Sequence, residues 1–365
     1  MPSTLSFPSY RDLDDATCEE RILVAKRTLG SDLLILGHHY QREEVFRHAD
    51  FSGDSLKLSR QAAASRARYI VFCGVHFMAE VADILSRPEQ IAILPDLSAG
   101  CSMADMADLP RVEQVWRELA SLLNPDEVVT PVTYINSAAT LKAFCGRHGG
   151  IVCTSGNARA ILEWAFSERK KVLFFPDQHL GRNTGFRMGI PLDEMVVWDP
   201  ELPLGGLDEA TIQRARILLW KGFCSVHQVF RAEHIDNFRA RYPEAKVISH
   251  PECSFEVCQK SDAVGSTEYI IRTIQNSPPG SRWLVGTELN LVQRLHEQGI
   301  PQGKDIHFMS PEQCMCSTMY RIDPQHLLWC LENLVAGRVV NRIQVPHTIA
   351  EEARWSLRRM LEVSP

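Results

Sequence analysis

The chain reads as an α/β protein built on parallel sheets, and three observations point there. Unbroken apolar runs recur, among them LLILG at 33–37, YIVFC at 69–73 and IAIL at 91–94; a run without alternation marks a strand buried on both faces. Between the runs lie stretches with helical apolar spacing, the order that parallel pairing requires. Most runs then stop at His, Tyr, Ser, Thr, Asn or Glu, which suits the rule that ligands gather beyond the carboxyl ends of parallel strands.

Taken in order, the first fifteen or so residues read as an arm and Cys18 to Leu29 as a helix. Strand 33–37 runs into His38, His39, Tyr40 and Gln41. Asp54 and Ser55 offer an N-cap for a helix reaching Ala67, and strands follow at 69–73 and 91–94, the last delivering Cys101 past Pro95 and the Ala99-Gly100 pair. The pattern returns with 128–133 leading into Tyr134, Asn136 and Ser137, 151–153 into Thr154, Ser155 and Asn157, and 172–175 into Pro176 and Asp177. It returns again with 246–249 leading into His250, Pro251 and Glu252, 263–264 into Gly265, Ser266 and Thr267, and 283–285 into Gly286, Thr287 and Glu288. The second and third strands of these units begin 21 or 22 residues apart (Tyr69 to Ile91, Gly150 to Lys171, Asp262 to Trp283), so three similar α/β units are expected. Segment 178–209, rich in Gly and Pro, reads as an irregular excursion around strand 195–198. Two amphipathic helices, 324–336 and 348–363, are expected to close the chain as packing elements.

Composition narrows the function. At 365 residues the chain exceeds the range of a single core, and its 45% hydrophobic and 23% charged residues are those of an ordinary globular protein. A net charge of -6 argues against a general nucleic-acid surface. The most apolar stretch, Tyr69 to Leu85, is interrupted by His76, Glu80 and Asp83, and MPSTLSFPSYRDLDD lacks a secretory h-region; a cytoplasmic protein without a membrane span is expected. Eleven cysteines spread from Cys18 to Cys330 lack the density of a disulfide scaffold, so reduced thiols are expected. The absence of G-x-x-x-x-G-K-[ST] weighs against nucleoside triphosphate hydrolysis.

Three cysteines stand out by context: Cys101 in SAGCSMAD, Cys224 in WKGFCSVH and Cys316 in CMCSTM. A metal held by them would be assembled by folding, one thiolate from each unit; separate structural cysteines are the alternative. Cys314, Cys253 and Cys258 compete as ligands or redox partners, whereas Cys73 and Cys330 sit in apolar patterns as small hydrophobes. His38, Tyr40, His250 and Glu252 form a second group, an imidazole and carboxylate set suited to proton transfer. Ser55, Ser155, Ser266 and Thr267 stand at helix starts, where they serve as N-caps or bind phosphate and carboxylate oxygens.

The motifs GHHYQ (37–41), DFSGDSLKLSRQA (50–62), GVHFMAE (74–80), PDLSAGCSMAD (95–105), VTYINS (132–137), CTSGNA (153–158), FPDQHLGRNTG (175–185), WKGFCSVH (220–227), HPEC (250–253), VGST (264–267) and GTE (286–288) together resemble the quinolinate synthase family along nearly the whole chain. The resemblance implies three α/β/α domains in a pseudo-threefold arrangement around a central active site, here 1–105 completed by helices within 322–365, 106–228 and 229–321. It implies a [4Fe-4S] cluster ligated by Cys101, Cys224 and Cys316, with the fourth iron open as a Lewis acid. It implies a transferase of NAD biosynthesis that condenses iminoaspartate with dihydroxyacetone phosphate to quinolinate, releasing phosphate and two waters and coupled to L-aspartate oxidase. Glu252 then matches the acid/base carboxylate, His38, Tyr40, Tyr134, Asn136 and His250 surround substrate, and Ser55, Ser155, Ser266 and Thr267 bind its oxyanions, with Thr154 an alternative to Ser155. The third ligand region departs from the family's C-P-x-M, which makes Cys314 a rival; Met319, three beyond Cys316 as in that motif, favours Cys316. Two other readings stay open: a different lyase or aldolase with zinc on the same cysteines, and an iron–sulfur sensor without turnover.

Overall fold

The computed structural model describes residues 5–312 and 314–364; residues 1–4 of the expected arm lie outside it. The chain forms two compact units, Met1–Cys101 with Met315–Val345, and Ser102–Cys314 with Pro346–Pro365.

The first unit carries one five-stranded sheet. Its strands are β1 (Leu33–His38), β2 (Phe51–Gly53), β3 (Tyr69–Cys73), β4 (Ile91–Ile93) and, from the C-terminal segment, β14 (Arg342–Ile343). The order is β14-β4-β3-β1-β2, parallel except for β14 against β4. Helix Asp15–Leu29 packs on helix Pro324–Val335. The start of the described chain is pinned there as well, through Leu5 N–H to Asn333 Oδ1 at 3.1 Å and Trp329 Nε1–H to Leu5 O at 2.6 Å.

The second unit carries two sheets. One is β6-β5-β7-β9-β8, formed by β5 (Val129–Tyr134), β6 (Ile151–Cys153), β7 (Lys171–Phe175), β8 (Met195–Trp198) and β9 (Ile217–Trp220). The other is β11-β10-β12-β13, formed by β10 (Lys246–Ser249), β11 (Ala263–Val264), β12 (Arg282–Gly286) and β13 (Asp305–Phe308). Every pair in both is parallel, as the unalternated apolar runs predict. Side chains such as Phe144, Phe175, Trp198 and Trp220 fill one core, and Phe230, Ile235, Val247 and Leu284 the other.

All three sheets share a topology. In each, the second strand in chain order lies beside the first, the third lies on the first strand's other side, and a further parallel strand (β4, β9 or β13) flanks the third. The expected three similar α/β units are therefore present, but not with the expected alignment. In the first sheet the second strand is β2, so equivalent second and third strands begin 18, 20 and 19 residues apart (Phe51 to Tyr69, Ile151 to Lys171, Ala263 to Arg282).

Two further differences have local causes. Within the expected irregular segment, Gln178–Arg187 is a helix capped by Asp177, whose side chain accepts from Leu180 N–H at 2.6 Å. Its glycines reflect close packing: a Cβ on Gly181 would lie 2.5 Å from Leu219 Cδ2, and one on Gly185 2.5 Å from Met195 Sδ. The two C-terminal helices also part, because His347–Val363 packs on helix Ala139–Arg147 of the second unit. That contact is intimate, since a Cβ on Gly146 would lie 2.0 Å from Glu352 O.

Candidate active site

Where strand order reverses, between the first and third strands of a parallel sheet, the carboxyl ends leave a crevice for ligands. In the second unit two such ends supply interacting side chains, Tyr134 at the end of β5 and Glu252 in the turn after β10. Tyr134 donates its hydroxyl to Glu252 Oε1 at 2.5 Å. His227 Nδ1 lies 2.8 Å from Glu252 Oε2, and the His227 ring stacks on His250 with centroids 4.6 Å apart. All four residues are buried, Glu252 at 3% exposure.

An ionisable group so deeply buried must be held by partners. Burial by itself raises the Glu252 carboxyl, but the neighbouring imidazoles of His250 and His227, with the hydrogen bond from Tyr134, bring it below the usual carboxylate range. Burial pushes the His250 imidazole down to about 3. Burial and then the charge on Glu252 push Asp177 well above the carboxylate range, although the Leu180, His179 and Cys224 amides pull the other way. The two carboxyl groups are thus pushed in opposite directions, Glu252 towards the anion and Asp177 towards the neutral acid, the divergence that separates base from acid.

Backbone contacts fix the surrounding loops. Buried Lys142 donates Nζ to the carbonyls of Ile135, at 2.9 Å, and Ser137. That braces the turn carrying Asn136, whose Oδ1 is buried with no partner among the described residues. The loop after β9 that presents Cys224 is tied by Gln178 N–H to Gly222 O at 3.0 Å and Trp220 Nε1–H to Met106 O at 2.8 Å. Gly222 is required there because a Cβ would lie 2.2 Å from Pro176 O.

Beside this cluster, a cavity of about 200 Å³ is lined by Ser155, Asn183, Thr184, Arg187, Pro251 and Gly265, among others. Gly156 also lines it, and Ser266 Oγ lies 3.7 Å from where a Cβ on Gly156 would be. Ser266 also caps helix Thr267–Gln275, accepting from Tyr269 N–H; Thr267 is buried in that helix's first turn. The Thr154 hydroxyl is committed to Asn157 Oδ1 at 3.0 Å, whereas Ser155 lies half-buried at the cavity wall.

The first unit holds the other candidates. His38 ends β1, buried, with the Tyr40 amide donating to its Nδ1 at 3.2 Å and the Gln41 amide to its carbonyl at 3.0 Å. His250 is built the same way, accepting from the Glu252 amide at Nδ1 and from the Cys253 amide at its carbonyl, at 3.4 and 3.0 Å. His38-x-Tyr40 and His250-x-Glu252 are thus the same turn after the first strand of two sheets. Ser55 opens helix Ser55–Ala64, but the cap is Asp54, accepting from Lys57 N–H at 3.0 Å.

No disulfide forms among the described residues; of the eleven cysteines seven are buried and four, Cys101, Cys224, Cys314 and Cys316, are partly exposed. Burial pushes Cys18 up to about 11 and Cys73 and Cys258 up to about 12, and drives Cys153, Cys253 and Cys330 upward as well. Cys253 and Cys258 turn their thiols onto the carbonyls of Gly286 and His250 at 3.5 and 3.7 Å. Burial, Glu288 and Glu312 also raise Cys314. One ligand atom each from Cys224, His227 and Glu252 lies within 4.8 Å of the others, a soft, a borderline and a hard donor together. Sequence reasoning left His227, Asp177 and Asn183 without roles. The C-x-x-H spacing of Cys224 and His227 is a signal for the first; the other two matter through contacts with distant segments.

The model of the family described as quinolinate synthetase A protein matches residues 20–362. Proteins named quinolinate synthase from Acidobacterium capsulatum and Rhodopirellula baltica are each 55% identical to this chain. The matches cover 99% of the chain and 97% of the first relative, and 97% and 93% for the second. One from Corynebacterium glutamicum is also 55% identical, over 98% of the chain and 90% of the relative.

Proposed function

The chain belongs to the quinolinate synthetase A protein family, and from that premise we propose that it is a quinolinate synthase condensing iminoaspartate with dihydroxyacetone phosphate, with loss of phosphate and two waters, in NAD biosynthesis. The observation that carries this reading is the buried array of Tyr134, Glu252, His227 and His250. A condensation that expels two waters needs protons removed from carbon or nitrogen and delivered to departing oxygens, and a shielded carboxylate with a donor on each side is suited to both.

In this reading Glu252 accepts and returns the proton. The Tyr134 hydroxyl, at 2.5 Å from Oε1, and His227 Nδ1, at 2.8 Å from Oε2, steady its charge, and His250, whose Nδ1 accepts from the Glu252 amide, presents its Nε2–H to the reacting oxygens. His38 and Tyr40, in the turn that repeats the Glu252 turn, share proton transfer and substrate contact. Ser55, Ser266 and Thr267 at helix starts, with Ser155 in the turn before helix Ala158–Glu168, take the carboxylate and phosphate oxygens, and Asn136 Oδ1, which has no partner among the described residues, accepts a substrate N–H or O–H.

Cys101, Cys224 and Cys316 are assigned as protein ligands of a [4Fe-4S] cluster. Partial exposure of these thiols supports the assignment, since iron–sulfur clusters take thiolates and buried thiols resist ionising; burial, with the carboxylates of Glu288 and Glu312, raises Cys314 and favours its rival. When bound, a cluster with one iron lacking a protein ligand supplies a Lewis acid for a carboxylate or hydroxyl. A mononuclear metal on Cys224, His227 and Glu252 is the second reading, favoured by the 4.8 Å grouping of their ligand atoms; it makes the protein a metal-dependent lyase or aldolase. The test is anaerobic conversion of iminoaspartate and dihydroxyacetone phosphate to quinolinate by brown protein carrying about four irons. A colourless protein with one tightly held zinc and no quinolinate formation selects the second reading.

A further inference from the structure

We propose that Asn183 is a positioning residue for Glu252, holding in place the turn from which that carboxylate acts; this rests on the reading of Glu252 as the proton-transferring group. Asn183 lies on helix Gln178–Arg187 and is 1% exposed. Its Nδ2 donates to Pro251 O and to Cys253 O, both at 2.9 Å. These carbonyls flank Glu252 in sequence, so one amide grips the turn on either side of the carboxylate. Only the NH₂ end of the side chain can face two carbonyls, which fixes the amide's orientation and leaves Oδ1 buried with no partner among the described residues. A third bond in the same turn, Gln228 Nε2–H to Glu252 O at 3.4 Å, is long, so Asn183 supplies the better-formed part of the grip.

The helix that delivers Asn183 is itself fixed. Gly181 and Gly185 let its backbone lie against Leu219, Phe174, Met195 and Ile217, with no room for a Cβ at either position. Arg187, one turn further on, donates to Val264 O at 2.9 Å, next to Gly265 and Ser266. A turn carried by such an element keeps the Glu252 carboxylate at the Tyr134 hydroxyl. Loss of the grip frees the turn to shift, and a displacement of about 1 Å at a reacting group can cost about 100-fold in rate.

The experiment compares anaerobic kinetics and iron content of Asn183→Ala, Asn183→Asp, Glu252→Gln and the double variant Asn183→Ala/Glu252→Gln. Asn183→Asp keeps the volume but offers no N–H pair, so it serves if the alanine variant folds poorly. The expected result is a kcat lower by about 10- to 100-fold with KM within about twofold, iron content and visible absorption as in the unaltered protein, and little further loss when Asn183→Ala is added to Glu252→Gln. Unaltered kcat in Asn183→Asp, a loss of rate that follows a loss of iron, or multiplicative losses in the double variant each overturn the proposal. Full activity of Glu252→Gln overturns the assignment of Glu252 itself, whatever the Asn183 variants do, and so separates the two failures.

Discussion

At the scale of single residues, the candidate chemistry depends on how one buried carboxylate is held. Tyr134 donates to the charged form of Glu252, so removing that donor disfavours the anion. Tyr134→Phe is expected to lower kcat about tenfold and to move the acid limb of the kcat/KM profile to higher pH, which steady-state kinetics across pH will check. Glu252→Gln is expected to retain iron and lose at least about 100-fold in kcat; undiminished turnover removes it from the mechanism. His179 tests the electrostatics of the same region through stability rather than rate. Burial, with Arg182, depresses its imidazole from 6.5 to about 4, so between those values the unfolded chain binds a proton that the folded one refuses. Its contribution is intact above about pH 6.5 and is lost as pH falls towards 4. His179→Gln should flatten the slope of unfolding free energy against pH in that window, measured by urea titration. The sequence already marked His38, Tyr40, Tyr134, His250 and Glu252, because polar residues directly after apolar strands are visible locally. It was silent on Asn183, whose importance lies in bonds to residues 68 and 70 positions away.

At the scale of elements, apolar runs were legible where burial was continuous and illegible where it was not. Tyr69–Cys73 and Ile151–Cys153 stand as read because every side chain in them is buried. Phe51–Gly53 was missed because it is three residues long, with Phe51 exposed and a glycine at its end, and that omission misaligned the first unit's repeat. Helix Gln178–Arg187 was read as irregular because glycine opposes helix formation, whereas here the glycines permit contact with β7, β8 and β9 that outweighs the propensity. Glycine at a helix–helix contact gives the corresponding test. Gly146→Ala places a methyl 2.0 Å from Glu352 O and should cost about 1–3 kcal/mol, read as a fall of several degrees in the melting temperature. Gly100→Ala, with nothing within 4 Å of the new carbon, should leave it nearly unchanged.

At the scale of the whole molecule, the proposed cluster draws its thiols from segments far apart in sequence. Cys101→Ala, Cys224→Ala and Cys316→Ala should each abolish the visible absorption and iron content of anaerobically purified protein, while Cys314→Ala retains both; loss in Cys314→Ala reverses the choice between the rivals. By itself the sequence determined that the protein is α/β with parallel sheets, that three units repeat, and which strand tips carry chemical groups. Those properties follow from burial along a short stretch of chain, and a short stretch records them. Only the tertiary structure decided that Tyr134 meets Glu252 across 118 residues, that His227 joins them, and that the last helix packs against Ala139–Arg147 rather than with its predecessor Pro324–Val335. Such pairings depend on which surfaces the folded sheets and helices turn towards one another, a property of the packed elements that no local run of residues encodes.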